Sequence, residues 1–388
     1  MSARKVFHTS LLAAGAGLVM LAIGLAVDAP RAWIAYLNAW TFGVTICIGA
    51  LLLLMAGHAA KASWMVVTRR LTESIVAALP VYLLLFVPLC FGLAFVYPWA
   101  APAAAVDPAL RHAIDHKRHY LNPPFFIVRT AVYFAILIGI AASLRAWSTQ
   151  NDRRPSMHLV LRMRRLSGGA LPLVALTLTW ASFDWTMSLA PDWSSTIFGL
   201  YYFAGAFVGA IALVAMMLHL SRRRAGPGAG VTPDHAQALG RLLFAMVVFW
   251  AYMAFSQLLI YWIADIPQEV SYYARRTTGT WTDITALLVC GMFVAPFFAL
   301  LNRHLKRRTE YLASVAAFVF AMHYVDVYWM VLPAHDAAGV RPHWLDLGAL
   351  LFVGGLSSAW ILRSYLRVPP LPEHVPGLAK GLSYEAAV

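Results

Sequence analysis

The stretch from Trp180 to Phe203, WASFDWTMSLAPDWSSTIFGLYYF, decides how the rest of the chain is read. It sets one carboxylate, Asp184, inside an apolar run, turns at Ala190-Pro191-Asp192, and enters a second apolar run rich in aromatics and glycine. An ionisable group at membrane depth is costly and ordinarily faces a bundle interior, which makes Asp184 a candidate functional residue. The competing reading is an interfacial aspartate held by the turn. A second copy favours the first. Asp184 precedes Pro191 by seven positions, and Asp326 precedes Pro333 by seven in YVDVYWMVLP (324–333). Each aspartate also follows an arginine pair, Arg164-Arg165 or Arg307-Arg308, by eighteen or nineteen positions. The chain therefore contains an internal repeat.

Working outward, 61% of the 388 residues are hydrophobic and 12% charged, with a mean hydropathy of +0.68. That composition excludes a soluble domain and defines an all-α polytopic membrane protein. Apolar runs of about 20 residues can cross a bilayer, and roughly ten such runs divide the chain. Spans are expected at about 9–27, 32–57, a third ending near Tyr97, then 125–145, 168–189, 195–220, 238–264, 281–302, 311–332 and 345–365. The first lacks a persuasive cleavage site and reads as a retained helix rather than a signal peptide. Lys61 to Ser74 reads as a short amphipathic piece, and Arg145 to Arg165 as a basic surface helix. Arg222 to Asp234 (RRRAGPGAGVTPD) has the composition of a flexible linker.

The net charge of +13 is distributed by loop. The N-terminus and even-numbered loops hold Arg4, Lys5, Lys61, Arg69, Arg70, Arg153, Arg154, Arg162, Arg164, Arg165, the arginines at 222–224, Arg303, Lys306, Arg307 and Arg308. The odd loops hold far fewer, so both termini are expected in the cytoplasm. Nucleic acid is not an expected partner. The three cysteines, Cys47, Cys90 and Cys290, lie far apart in apolar runs, with no CxxC, no CxxCH and no metal-ligand spacing. No metal site, haem c or iron–sulfur cluster is expected on this chain.

The repeat groups spans two to five and six to nine as two four-helix bundles flanked by spans one and ten. The expected units are 1–31, an N-terminal helix; 32–192 and 193–334, the bundles; 335–366, the last helix; and 367–388, a Pro-rich tail that packs on a neighbour or is disordered. Aligning the two aspartates places Arg129 near Asp283.

Inside the spans the polar exceptions are few: Arg129, Asp184, Asp283, Asp326 and Asp346 on the periplasmic half, with Asp265 and Glu269 in the loop after span seven. Seven residues before a turn is about 10 Å along a helix, so Asp184 and Asp326 are expected below the surface. His323 lies three positions before Asp326 and shares its helix face. The pair is suited either to proton transfer or to cross-linking helices. Tyr252, Ser256, Gln257 and Tyr261 form a polar stripe on span seven, read first as interhelical hydrogen bonds and second as ligand contacts. Glu73 and Glu310 each follow an arginine pair and read as interfacial ion pairs rather than proton entrances.

Four segments stand out as specific: KRHYLNPPFFIVR (117–129), DWTMSLAPDWSSTIFGLYYFAG (184–205), FSQLLIYWIADIPQEVSYY (255–273) and DVYWMVLP (326–333). Together they resemble the F subunit of alternative complex III, the bacterial respiratory quinol:cytochrome c oxidoreductase unrelated to the bc1 complex. That subunit is related to polysulfide-reductase-like membrane subunits, whose fold is two four-helix bundles with flanking helices. The resemblance implies a subunit without redox cofactors of its own. Its implied partners are a paralogous quinol-binding membrane subunit, a periplasmic iron–sulfur subunit, multihaem and monohaem cytochrome c subunits, and in some assemblies a terminal oxidase. On this reading Asp184, Asp283, His323 and Asp326 line a periplasm-facing cavity for proton release or translocation. Gln257, His323 and Arg129 are candidate quinone contacts. A secondary transporter and a structural scaffold are the alternatives. The chain lacks paired Gly/Pro-interrupted half-helices, which disfavours the first, and the paired aspartates disfavour the second.

Overall fold

The computed structural model describes residues 3–386 apart from 103, 105, 226–229, 337–338, 373 and 375–377. Among the described residues there is no strand. Ten helices among these residues are long and apolar enough to span a membrane: Arg4–Val27, Ala29–Ala59, Arg69–Val96, Pro123–Arg153, Met157–Leu189, Phe198–Ser221, Pro233–Ala264, Trp281–Leu301, Thr309–Ala334 and Trp344–Leu366. They are called spans one to ten. The protein is an all-α, multi-pass membrane protein.

The spans close into two rings. Span two packs on three, three on four, four on five, and five back on two; spans six, seven, eight and nine repeat the cycle. Each ring is a four-helix bundle, and the rings meet where spans two and five pack on span six. Span one lies on span ten, which in turn packs on span two. The arrangement makes span two an axis: 94% of its apolar window is buried, against 22% for span one. Lipid tails are as apolar as leucine, so burial on this scale reflects close helix packing rather than a hydrophobic drive between helices.

Local chemistry sets the helix ends. Asn122 caps span four by accepting from the Phe125 amide at 3.0 Å, with Pro123 in the first turn. Asp28 caps span two through the Arg31 amide at 3.2 Å. The expected surface helix at 145–165 is not a separate element. Span four continues to Arg153 and span five begins at Met157. The break falls at Arg154, whose extended backbone is what a following proline, Pro155, imposes. The amphipathic piece at 61–74 is likewise divided, into a 3-10 turn, Ser63–Val67, and the first turns of span three.

Helix after span six runs on to Ala225, and the Gly/Pro part of the expected linker, 226–229, lies outside the described residues. The tail folds back on its own chain. Gly381 O receives the His235 ring at 2.8 Å, Asn151 Nδ2 donates to His374 O at 2.7 Å, and the Ala386 amide donates to Asp234 Oδ1 at 3.2 Å. These bonds join residues of spans four and seven to one strap.

Candidate functional site

The two repeated aspartates are both fully buried, but their partners differ. Asp184, near the end of span five, is held by Arg129 of span four: Nε reaches Oδ2 at 2.8 Å and Nη2 reaches Oδ1 at 2.9 Å. Tyr133, one turn along from Arg129, donates its hydroxyl to Oδ2 at 2.7 Å. The guanidinium also lies 3.8 Å from the Tyr120 ring centroid and donates to the Tyr120 carbonyl at 2.8 Å. This is a bidentate ion pair supported by a further hydrogen bond to the carboxylate, the kind of arrangement a buried pair requires. Arg129 is thereby engaged on three sides.

Asp326, on span nine, has no arginine. The Tyr201 hydroxyl of span six donates to Oδ1, and the Trp250 indole N–H of span seven donates to Oδ2 at 3.2 Å. His323 Nδ1 stands 3.8 Å from Oδ2, too far for a direct hydrogen bond, and has no other hydrogen-bond partner among the described residues. Its Nε2 is 3.2 Å from Thr45 Oγ1 of span two. Span six makes room with two glycines one turn apart. A Cβ on Gly205 would lie 2.9 Å from Asp326 Oδ2, and one on Gly209 would lie 2.5 Å from His323 Cδ2. Aspartates equivalent in sequence are thus electrostatically different in place.

The counterpart of Arg129 is Arg276, not the aligned Asp283. Arg276 lies 3.4 Å from the Tyr272 ring centroid and donates to the Tyr272 carbonyl at 2.8 Å, as Arg129 does with Tyr120. Its remaining donors go to the carbonyls of Trp329 at 3.1 Å and Met330 at 2.9 Å, leaving Asp326 without an arginine. The turn after span five is locked onto this loop. Trp193 stacks on Tyr272 with centroids 3.8 Å apart, Arg275 pairs with Asp192 at 2.6 Å, and Tyr261 donates to Ser194 O at 2.7 Å. The Pro191-Asp192-Trp193 motif therefore closes the end of the second bundle.

Beneath that closure is a cavity of ≈ 340 Å³ lined by Tyr201, Trp250, Gln257, Tyr273, Thr285 and Trp329 among apolar neighbours. Phe255, Leu258 and Val289, which also line it, are exposed on the outer surface, so its mouth opens between spans seven and eight. Span eight widens here in a π-helical turn, Val289–Val294, a departure found frequently at functional sites. Gln257 is buried and its Oε1 has no hydrogen-bond partner among the described residues. Tyr201 joins this cavity to Asp326.

Of the residues expected to act together, His323 and Asp326 meet, with Gln257 near by across Tyr201 and Trp250. Asp184 and Arg129 form their own pair in the first bundle. Asp283 is exposed in the first turn of span eight, where its charge complements the helix N-terminus. Buried Trp281 two residues earlier points that turn's inner face elsewhere, so Asp283 does not line a shared cavity.

Sequence reading passed over Asn38, Thr41 and Thr45. All three are buried on one face of span two, at the spacing of a single helical stripe, and the Thr41 hydroxyl has no hydrogen-bond partner among the described residues. Their i, i+3, i+7 spacing was the available signal. It also underestimated Glu73, which is buried and takes Arg69 at 3.0 Å, Arg70 at 2.6 Å and the Ser148 hydroxyl at 2.6 Å, while Arg70 also bonds Asp152. No group of three or more metal-ligating side chains occurs among the described residues. Comparison with protein-family models gives no match for the chain, and comparison with curated proteins gives none either.

Proposed function

We propose that the chain is a membrane subunit of a bacterial respiratory quinol:cytochrome c oxidoreductase of the alternative complex III kind, with both termini in the cytoplasm. In this reading it holds a quinone head group in the second bundle and moves protons through Asp326. The observation that carries it is the juxtaposition of a membrane-facing apolar cavity with a carboxylate that no arginine or lysine pairs with among the described residues. The lining fits a quinone-type ring: aromatic and aliphatic walls for the ring and tail, with a few convergent polar groups, the usual make-up of such sites.

A quinol supplies two electrons and two protons on oxidation, and the electrons pass to redox centres of partner subunits. This chain's own residues orient and accept. Gln257 Oε1 is an unpaired acceptor for a ring hydroxyl. Tyr201 relays a proton, since its hydroxyl already donates to Asp326. Asp326 takes up and releases that proton without breaking an ion pair, which Asp184 cannot do. His323 and the Thr45–Thr41–Asn38 stripe of span two continue the polar path, with water completing the groups that lack protein partners.

Two measurements test this. A mild-detergent pull-down of the chain is expected to bring c-type haem and an iron–sulfur subunit; a haem-free solitary protein sinks the assignment. Within the complex, Asp326→Asn and Tyr201→Phe are expected to lower quinol:cytochrome c turnover or proton release at least tenfold. Unchanged rates and stoichiometry would remove the proton role from Asp326.

A further inference from the structure

Far from that cavity, at the end of the molecule that carries both termini, a pocket of ≈ 260 Å³ lies between spans three, four and ten. Three arginines line it: Arg145 from span four, and Arg363 and Arg367 from the end of span ten. None is paired with a carboxylate among the described residues. Arg145 donates to the carbonyls of Glu73 at 3.2 Å and Ser364 at 3.1 Å, which fixes its guanidinium at the helix seam without cancelling its charge. Trp360 is pinned beside it, its indole N–H donating to Ala77 O at 2.7 Å. The one acid at the pocket, Glu73, is already neutralised by Arg69 and Arg70. Arg363 and Arg367 are both exposed and lie four residues apart on one helix face, a like-charge arrangement that an anion between them relieves.

The floor is apolar, formed by Val76, Ala77, Pro80, Ile138 and Ala141. From Pro80 an exposed stripe continues along span three through Leu84, Val87 and Phe91, at the spacing of a single helix face. Positive charge above an apolar track running into the membrane matches one ligand chemistry. We propose that this pocket binds the phosphate of an anionic phospholipid, with Arg145, Arg363 and Arg367 on the head group and an acyl chain along Leu84, Val87 and Phe91. Basic pockets between transmembrane helices recognise such head groups by the same means. Free phosphate shares the charge chemistry but has no use for the stripe.

The test uses the full chain in detergent, stripped of lipid, and the double variant Arg363→Gln/Arg367→Gln. Both residues are exposed and make no hydrogen bond or ion pair among the described residues, so the variant is expected to keep the wild-type size-exclusion profile. Phosphatidylglycerol is expected to raise the thermal midpoint of the wild type by several degrees and that of the variant by less than half as much. Phosphatidylcholine and millimolar inorganic phosphate are expected to leave both unchanged. An equal phosphatidylglycerol shift in the variant, or a full shift with phosphatidylcholine, overturns the site. A full shift with inorganic phosphate alone makes it a free-anion site and overturns the lipid. A misfolded variant is replaced by Leu84→Ser/Phe91→Ser, whose phosphatidylglycerol shift must also fall.

Discussion

Arg129 grips both carboxylate oxygens of Asp184, at 2.8 and 2.9 Å, across fifty-five residues of sequence and two adjacent helices. Removing one member leaves the other charged in a buried site, which costs about 3–5 kcal/mol. Asp184→Asn is therefore expected to lower thermal stability severely, and Arg129→Gln to do the same. The double variant is expected to recover part of the loss, because no orphan charge remains. Thermal midpoints in detergent check this; additive losses would show that the two side chains act independently.

Gly209 faces His323 at a distance no Cβ tolerates. Gly209→Ala is expected to cost about 1–3 kcal/mol as an overpacking change. Because the clash is with the imidazole itself, substituting His323→Ala in the same background should restore stability. Failure of that rescue would place the cost in the contact between spans six and nine rather than on the ring.

Glu73 balances two arginines at the opposite end of the first bundle. Glu73→Ala is expected to destabilise by roughly 3–5 kcal/mol, since Arg70 is buried and keeps only Asp152 as a counter-charge. Glu73→Gln, which retains the shape, is expected to cost less. Equal losses in the two variants would mean that packing, not charge, is what the site requires.

His335 lies in the turn just beyond span nine, with its Nε2 enclosed and unpaired. Burial holds its pKa down from 6.5 to about 4, against Asp336, which favours the charged ring, and with Arg31, which disfavours it. The unfolded chain binds the proton more readily, so stability from this group is complete above pH 6.5 and is lost as pH falls towards about 4. The thermal midpoint should drop between pH 7 and pH 5, and His335→Gln should flatten that part of the profile. An identical pH profile in the variant would acquit the histidine.

Much of the architecture is legible in the sequence. Hydropathy alone marks ten spans, since a membrane helix must carry its apolar surface in one unbroken run. The Asp–Pro repeat announced two equivalent bundles, because equivalent helices end in equivalent turns. The same sequence put Asp184 and Asp326 on equal terms. Their neighbours separate them: in one bundle an arginine reaches the carboxylate, while in the other the corresponding arginine, Arg276, is drawn off by two backbone carbonyls. No periodicity encodes that choice, because it depends on where a loop places a flexible side chain in three dimensions.

The cavity behind Tyr201 and the pocket under Arg145 are likewise products of assembly. Each draws residues from at least three helices, and each residue taken alone is an ordinary aromatic, amide or arginine. Sequence by itself determined that this chain is a multi-pass membrane protein, where its apolar spans run, and that Asp184 and Asp326 lie deep, because transfer free energy acts on each segment separately. Only the tertiary structure decided which of those carboxylates is balanced by a cation and where the bundle leaves room for a ligand, because charge pairing and free volume belong to contacts between segments.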